Sequence, residues 1–152
     1  MSHTVVSACL LGRPCRYDGG EKAHPPTQQW VARQRAQGWD IVTVCPEELG
    51  GLGTPRLPAE LRGGGGRAVL EGQAQVVNIQ GQNITEAFVR GAVTAAKEAT
   101  GAQQAILKAR SPSCGCGQTQ IDGSLAEGDG VFAALLRSKG LHIMTEEQLG
   151  ET

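Results

Sequence analysis

Aromatic residues are scarce in this sequence: they make up 3% of its 152 residues, so few bulky side chains are available for a core. No apolar run approaches the roughly 20 residues of a membrane-spanning helix. The first residues carry neither a positively charged segment nor a small-residue cleavage signal. Basic and acidic residues are nearly balanced, at 14 and 15. These absences argue against a membrane protein, an exported protein and a partner made of intact nucleic acid, and they favour a cytoplasmic protein.

Glycine and cysteine, in contrast, are abundant. The 22 glycines are about twice the number expected from an average usage of ~7%, which indicates that much of the chain forms shaped turns. Five cysteines occur without an export signal. Reduced thiols that serve metal or redox chemistry are therefore a better interpretation than a disulfide framework.

Hydrophobic stretches and turn-forming residues alternate in a pattern typical of an α/β protein. Two of the predicted helices begin at capping threonines, Thr27 and Thr85, and end before glycines. Strands separated by helices pair in parallel, so we expect a single domain over residues 1–152, a three-layer sandwich with a mostly parallel sheet. The alternative is an α+β domain with mixed pairing. The predicted strands are 4–9, 40–45, 75–79, 104–108 and 141–145, and the predicted helices are 27–37, 86–99 and 130–139.

The predicted connections differ in length at the two ends of the sheet. Those that enter strands are short, whereas those that leave strands are long and cover residues 10–26, 46–73 and 109–128. The glycine run at 63–66 is interpreted as a flexible loop within the domain. Because ligands of open α/β sheets bind beyond the carboxyl ends of the strands, we expect the active site at that end.

Three cysteines occupy equivalent places, at or just after the ends of predicted strands. Cys9 and Cys45 each close a predicted strand, and Cys114 follows another strand by a few residues. In a parallel sheet the three thiols would meet at one edge, where three thiolates leave one position of a metal or cluster vacant. The alternative for each cysteine is a small buried hydrophobic residue. Cys15 and Cys116 are less well placed, and we interpret both as supporting or incidental residues.

Two residues beside these cysteines are candidates for catalysis. Glu47 lies two positions after Cys45 and suits general acid–base chemistry, although a stabilising charge at a helix start is an equally good interpretation. Ser111 opens the run SPSCGCG, where it could donate to a substrate, act as a nucleophile or relay a proton. For Ser111 alone, a serine-stabilised turn before proline is the simpler explanation.

Charged and polar residues accumulate in the same three connections. Such side chains would offset the negative charge of a metal–thiolate site or orient a planar polar ligand through bidentate hydrogen bonds. For any one of them, ordinary surface charge is the alternative. The candidates for substrate contact or support are Arg16, Tyr17, Asp18, Arg56, Lys108 and Ser113, with Arg13 and Arg110 nearby.

Three motifs carry these candidates: SACLLGRPCRYDG at 7–19, CPEELGGLGTPR at 45–56 and LKARSPSCG at 107–115. Together they resemble the three signature blocks of the thiouracil desulfidase family, in the order that the family has them. The stretch GDGVFAALL at 128–136 also resembles the family's C-terminal helix. Cys116 departs from the family pattern, in which serine is more usual.

The resemblance implies an iron–sulfur enzyme with a small-molecule substrate. It implies a 4Fe–4S cluster held by Cys9, Cys45 and Cys114, whose fourth iron is free of protein and binds the sulfur of a thiolated pyrimidine. Glu47 and Ser111 match the positions that have catalytic roles in the family. The implied reaction is a non-redox cleavage of a C–S bond that converts 2-thiouracil to uracil and sulfide. Iron suits this reaction because a thiocarbonyl sulfur is a soft ligand.

Two other functions remain open from the residues themselves. A mononuclear Zn(Cys)₃ hydrolase would use a metal-bound hydroxide with Glu47 as the base. A non-catalytic iron–sulfur or metal carrier would transfer its metal to a partner protein. Thiolated bases and nucleosides from RNA turnover all fit the implied enzyme, and no sequence feature specifies an oligomeric state.

Overall fold

The computed structural model describes residues 3–13 and 23–149, in which strands and helices alternate over much of the chain. The strands are β1 (His3–Ser7), β2 (Asp40–Val44), β3 (Ala59–Arg62), β4 (Gln75–Asn78), β5 (Ala102–Leu107), β6 (Gln118–Ile121), β7 (Ser124–Glu127) and β8 (His142–Thr145). The α-helices are α1 (Pro25–Ala36), α2 (Pro46–Leu49), α3 (Gly66–Leu70), α4 (Thr85–Glu98) and α5 (Val131–Ser138), and two 3₁₀-helices cover Ala8–Leu11 and Glu146–Leu149. No helix in this described part of the chain is long and apolar enough to cross a membrane.

The main sheet has four strands in the order β2-β1-β5-β8, all of them parallel. Successive side chains of a strand point to opposite faces of the sheet, so they pack into two different hydrophobic cores. Val5 packs with the core that contains Phe88 of α4 and Phe132 of α5, whereas Val6 packs with the core that contains Val31 of α1. Helices therefore cover both faces of the sheet, and the predicted three-layer α/β fold is confirmed.

A second sheet, in the order β4-β3-β6-β7, was not expected from the sequence. The 75–79 segment does form a strand, β4, but it pairs antiparallel with β3 in this second sheet and does not extend the main one. Residues 46–73 and 109–128 were predicted to be irregular and instead contain β3, β6, β7 and two short helices. Residues 63–65 do form a loop within the domain, between β3 and α3, whereas Gly66 of the predicted loop is the first residue of α3.

The predicted helix caps also differ from those observed. Helix α1 begins at Pro25, and its capping residue is His24, whose Nδ1 accepts a hydrogen bond from the backbone N–H of Thr27 at 3.3 Å. Proline suits the first turn of a helix because its missing N–H would have no partner there, so the helix starts before Thr27. Thr85 is the first residue of α4, and its hydroxyl accepts a hydrogen bond from the backbone N–H of Val76.

The carboxyl ends of β2, β1 and β5 adjoin one another, since these strands are parallel neighbours. The chain leaves β1 into a 3₁₀-helix, leaves β2 into α2 and leaves β5 into a turn. Helix α2 packs closely against α4, where Gly91 faces the backbone of Pro46. This packing holds the segment that follows β2 in place at the carboxyl ends of these strands.

Candidate active site

Three cysteines line a single cavity of about 410 Å³ at this edge. Cys9 lies in the 3₁₀-helix after β1, Cys45 caps the N-terminus of α2 after β2, and Cys114 lies in the turn after β5. Each thiol is thus supplied by a different backbone segment, and adjacent parallel strands bring the three segments together. Residues that are remote in sequence become neighbours for that reason.

The four cysteines in the described ranges form no disulfide. Cys9 and Cys114 are buried, and Cys45 is half-buried. Among residues 3–13 and 23–149, no three histidine, cysteine, aspartate or glutamate side chains are grouped closely enough to hold one metal ion. The thiols therefore share a cavity wall without forming a ready-made site for a single ion.

Glu47 also lines this cavity, and both of its carboxylate oxygens have protein partners. Oε1 accepts a hydrogen bond from Nε of Arg56 at 2.9 Å, and Oε2 accepts one from Oγ of Ser113 at 3.2 Å. The side chains of Arg56 and Glu47 are only 9% and 15% exposed, so water screens this ion pair poorly. The two contacts hold the carboxylate in a fixed orientation beside the cysteines.

Ser111 lines the cavity and stabilises the turn that carries Cys114. Its Oγ accepts hydrogen bonds from the backbone N–H groups of Ser113 and Cys114, both at 3.1 Å. A serine hydroxyl has two acceptor sites and one donor, so its O–H remains to donate. Ser113 itself is buried and is not among the described residues that line the cavity, and its hydroxyl donates to Glu47.

Three cationic residues also line the described wall, namely Arg56, Lys108 and Arg110. The Lys108 ammonium lies 3.2 Å from Oε2 of Glu146, a buried carboxylate. Glu146 is not among the candidates from the sequence, because the run Glu146-Glu147 has the pattern of a solvated surface. No local signal connects it with Lys108, since the contact depends on the parallel pairing of β5 with β8.

Other candidates either pair with carboxylates or fall outside the described residues. Arg13 is exposed and forms a 2.7 Å ion pair with Glu48. Arg110 reaches the cavity wall, but its guanidinium binds Glu147 at 2.7 Å; this hydrogen bond raises the pKa of Arg110 and lowers the pKa of Glu147. Four further candidates fall outside the described residues, namely Cys15, Arg16, Tyr17 and Asp18.

Cys116 faces a different environment from the other described cysteines. It lines a separate cavity of about 350 Å³, together with Arg137 and Ile143. Its sulfur accepts a hydrogen bond from Nη2 of Arg137 at 3.1 Å. The hydrogen bond with Asp129 is the main cause of the raised pKa of Arg137, so the guanidinium stays charged. Cys114 and Cys116 therefore line different cavities despite their short sequence separation.

Comparison with known proteins connects this cavity to a family. The model of the 2-thiouracil desulfurase family matches residues 4–148, which include every described segment of the cavity wall. The chain belongs to the 2-thiouracil desulfurase family. The family match thus agrees with the resemblance carried by the three sequence motifs.

Two similar proteins place this 2-thiouracil desulfurase family member among its relatives. A protein of Bacillus subtilis (strain 168), the uncharacterized protein YbbK, is 40% identical in an alignment of 153 positions that covers 97% of each chain. A solved structure of the [4Fe-4S]-dependent thiouracil desulfidase TudS is 39% identical and superposes with a TM-score of 0.80, covering 98% of this chain and 93% of that chain. The fold is therefore shared over almost the full length.

Proposed function

We propose that this protein is a 4Fe–4S-dependent desulfidase that converts 2-thiouracil and related thiolated pyrimidines to the oxygenated base and sulfide. The observation that carries the proposal is the cavity in which three cysteines from separate segments adjoin Glu47. The similarity to a [4Fe-4S]-dependent thiouracil desulfidase, at 39% identity, supports it. The overall reaction replaces C=S by C=O and releases H₂S, with water as the only co-reactant.

The donors in the cavity fit an iron–sulfur cluster. Cys9, Cys45 and Cys114 would hold it, since thiolates are the usual protein ligands of such clusters. A four-iron cluster is larger than one ion, so it suits thiols distributed around a cavity wall better than single-ion coordination does. Arg56 and Lys108 supply positive charge against the thiolates. When bound, a cluster with three protein ligands offers a soft Lewis-acidic iron for the sulfur of the substrate.

Glu47 is suited to accept a proton from the attacking water. A general base has to be held in a defined geometry near its substrate, and the contacts from Arg56 and Ser113 provide this orientation. After the water has attacked the ring carbon that carries sulfur, the same carboxyl group is placed to return the proton to the departing sulfide. Ser113 contributes by positioning Glu47 and does not itself line the described cavity wall.

Ser111 and the cationic residues would orient the ring of the substrate. The Ser111 hydroxyl accepts two backbone N–H groups, so it is suited to donate a hydrogen bond to a ring acceptor. This assignment favours the donor role over the nucleophile and the proton relay. Arg16, Tyr17 and Asp18 stay in the proposal as further substrate contacts on the strength of the first motif alone.

The deciding experiment combines cluster analysis with product detection on anaerobically prepared protein. We expect about four irons and about four inorganic sulfides per chain. With 2-thiouracil as substrate, we expect one sulfide to be released for each uracil formed. Glu47→Gln should keep the iron content and lower kcat by roughly 10²- to 10⁴-fold, the usual contribution of a general base. Glu48→Gln is the matched control, because Glu48 lies next to Glu47 in α2 but binds Arg13 and Thr54.

Two outcomes would contradict the proposed reaction, and a third would contradict the role of Glu47. A colourless protein that contains one zinc and needs it for activity would support the Zn(Cys)₃ hydrolase. A protein that delivers its cluster to an apo-protein and forms no uracil would support the carrier. Equal activity of Glu47→Gln and Glu48→Gln would remove Glu47 from the mechanism while leaving the cluster assignment intact.

A further inference from the structure

Glu146 is a buried carboxylate that lies outside all three motifs. It begins the C-terminal 3₁₀-helix directly after β8, and only 7% of the residue is exposed. Its Oε1 accepts the backbone N–H of Ala109 at 2.8 Å, and its Oε2 lies 3.2 Å from the Lys108 ammonium. Burial of a carboxylate is costly unless it is paired, so these two contacts hold Glu146 firmly against the end of β5.

Lys108 connects this carboxylate with the cavity. The lysine lines the cavity, whereas Glu146 is not among the described residues that do so. The ammonium also donates to the carbonyl oxygen of Ala109 at 3.1 Å. Among the described residues, Ala109 accepts one hydrogen bond from the ammonium and Glu146 pairs with its charge, so N–H groups remain to donate to a ligand.

The burial of this pair separates it from an ordinary surface ion pair. The side chains of Lys108 and Glu146 are 18% and 9% exposed, so salt screens their attraction weakly. A lysine side chain is flexible, and ordering it upon ligand binding costs free energy. A carboxylate that already holds the charged end in place removes part of that cost.

We propose that Glu146 is a positioning residue, which holds the Lys108 ammonium at the cavity so that it donates a hydrogen bond to the exocyclic oxygen of the substrate. This inference rests on the proposed function, because it takes a thiolated pyrimidine as the ligand. The oxygen of 2-thiouracil is retained in uracil, so Lys108 binds substrate and product alike. Glu146 acts through Lys108 and does not touch the ligand.

The test compares Glu146→Gln with Glu147→Gln in the cluster-loaded protein. A glutamine at 146 still accepts the Ala109 N–H but no longer forms an ion pair with Lys108. Glu147 is a matched control in the same 3₁₀-helix, since it forms an exposed ion pair with Arg110 at 2.7 Å. We expect Glu146→Gln to raise KM for 2-thiouracil and to weaken uracil binding by roughly 10- to 100-fold, as for loss of a charge-assisted hydrogen bond, with kcat little changed. Glu147→Gln should leave both quantities unchanged.

A double-mutant cycle with Lys108→Met separates positioning from a purely structural role. If Glu146 acts through Lys108, adding Glu146→Gln to Lys108→Met should change KM little further. If the effects of the two substitutions on KM were fully additive, or if Glu146→Gln left KM unchanged, this inference would be overturned. The proposed function would stand, provided that the wild-type protein forms uracil. A wild-type protein that neither binds uracil nor forms it would overturn the proposed function and this inference with it. Lys108→Met keeps the Ala109–Glu146 contact, so it tests the same ligand contact if Glu146→Gln fails to fold.

Discussion

Glu47 and Glu48 are adjacent carboxylates in α2 with different surroundings. Glu47 lines the cavity and is bound by Arg56 and Ser113. Glu48 accepts hydrogen bonds from Arg13 and Thr54, and it thereby ties two connecting segments together. The sequence offers a helix-start charge as the alternative for either residue, and only the partners distinguish a candidate base from a structural anchor.

The surroundings of the cysteines likewise distinguish the candidate cluster ligands from Cys116. We predict that Cys45→Ala abolishes cluster binding, because two remaining thiols of the cavity leave a cluster with too few protein ligands. Cys116→Ser should retain a full complement of iron and sulfide, since Cys116 lines a different cavity. Iron analysis of both proteins after anaerobic reconstitution measures the difference. If iron were retained in Cys45→Ala but lost in Cys116→Ser, Cys116 would be the cluster ligand and Cys45 would not.

At the scale of secondary-structure elements, the contact between α2 and α4 supports the site. A Cβ atom at Gly91 in α4 would collide with the carbonyl oxygen of Pro46. Pro46 lies between Cys45 and Glu47, so the closeness of the two helices determines where both of these side chains lie. Glycine inside a helix normally costs stability, and its presence here is explained by this close approach.

We predict that Gly91→Ala destabilises the protein, although the same change in a helix without this contact would stabilise it. The added methyl group forces α2 away from α4, and overpacking of this kind costs about 1–3 kcal/mol. Because Cys45 and Glu47 move with α2, cluster retention should also fall. Thermal unfolding and iron content measure the two effects. Val93→Ala is the control in the same helix, at an exposed position, with an expected change within about 0.5 kcal/mol.

The elements of the main sheet were predictable, whereas most of the second sheet was not. Strands β1, β2, β5 and β8 are short and rich in apolar or β-branched residues, and a glycine-terminated helix precedes β2, β5 and β8. Strand β3 has the sequence AELR, which favours a helix, and it forms a strand only because β4 and β6 pair with it. The β6–β7 hairpin did have a signal, namely Asp122-Gly123, whose two positive φ angles suit a tight hairpin turn.

The candidate site was predictable to the extent that it depends on strand ends. The placement of Cys9, Cys45 and Cys114 after parallel strands follows from the alternation of elements, and the three motifs point to the same residues. The contact of Ser113 with Glu47 and that of Glu146 with Lys108 were not predictable. Both join segments whose relative positions depend on the tertiary packing of several elements.

At the scale of the whole molecule, the cavity lies where the two sheets meet. Segments that follow strands of the main sheet supply the cysteines, and the second sheet contributes Ala59 of β3 and Gln120 of β6 to the cavity wall. The long connections that leave the main strands therefore build this wall. A ligand in the cavity would contact segments from much of the chain, which connects the site with global stability.

Removal of the cluster should therefore lower the stability of the entire protein and not only its activity. A group bound by three distant segments in the folded state, and not in the unfolded one, stabilises the fold by its binding free energy. For a chain of this length we expect Tm to fall by roughly 2–4 °C for each kcal/mol that is lost. Calorimetry of cluster-loaded and chelator-treated protein under anaerobic conditions measures this difference.

The control is Cys116→Ser, which should show the same Tm difference between loaded and stripped forms as the wild type, since residue 116 lines the other cavity. Equal Tm values for the loaded and stripped wild-type protein would mean that the three thiols do not jointly bind the cluster, because joint binding necessarily couples cluster loss to the packing of β1, β2 and β5.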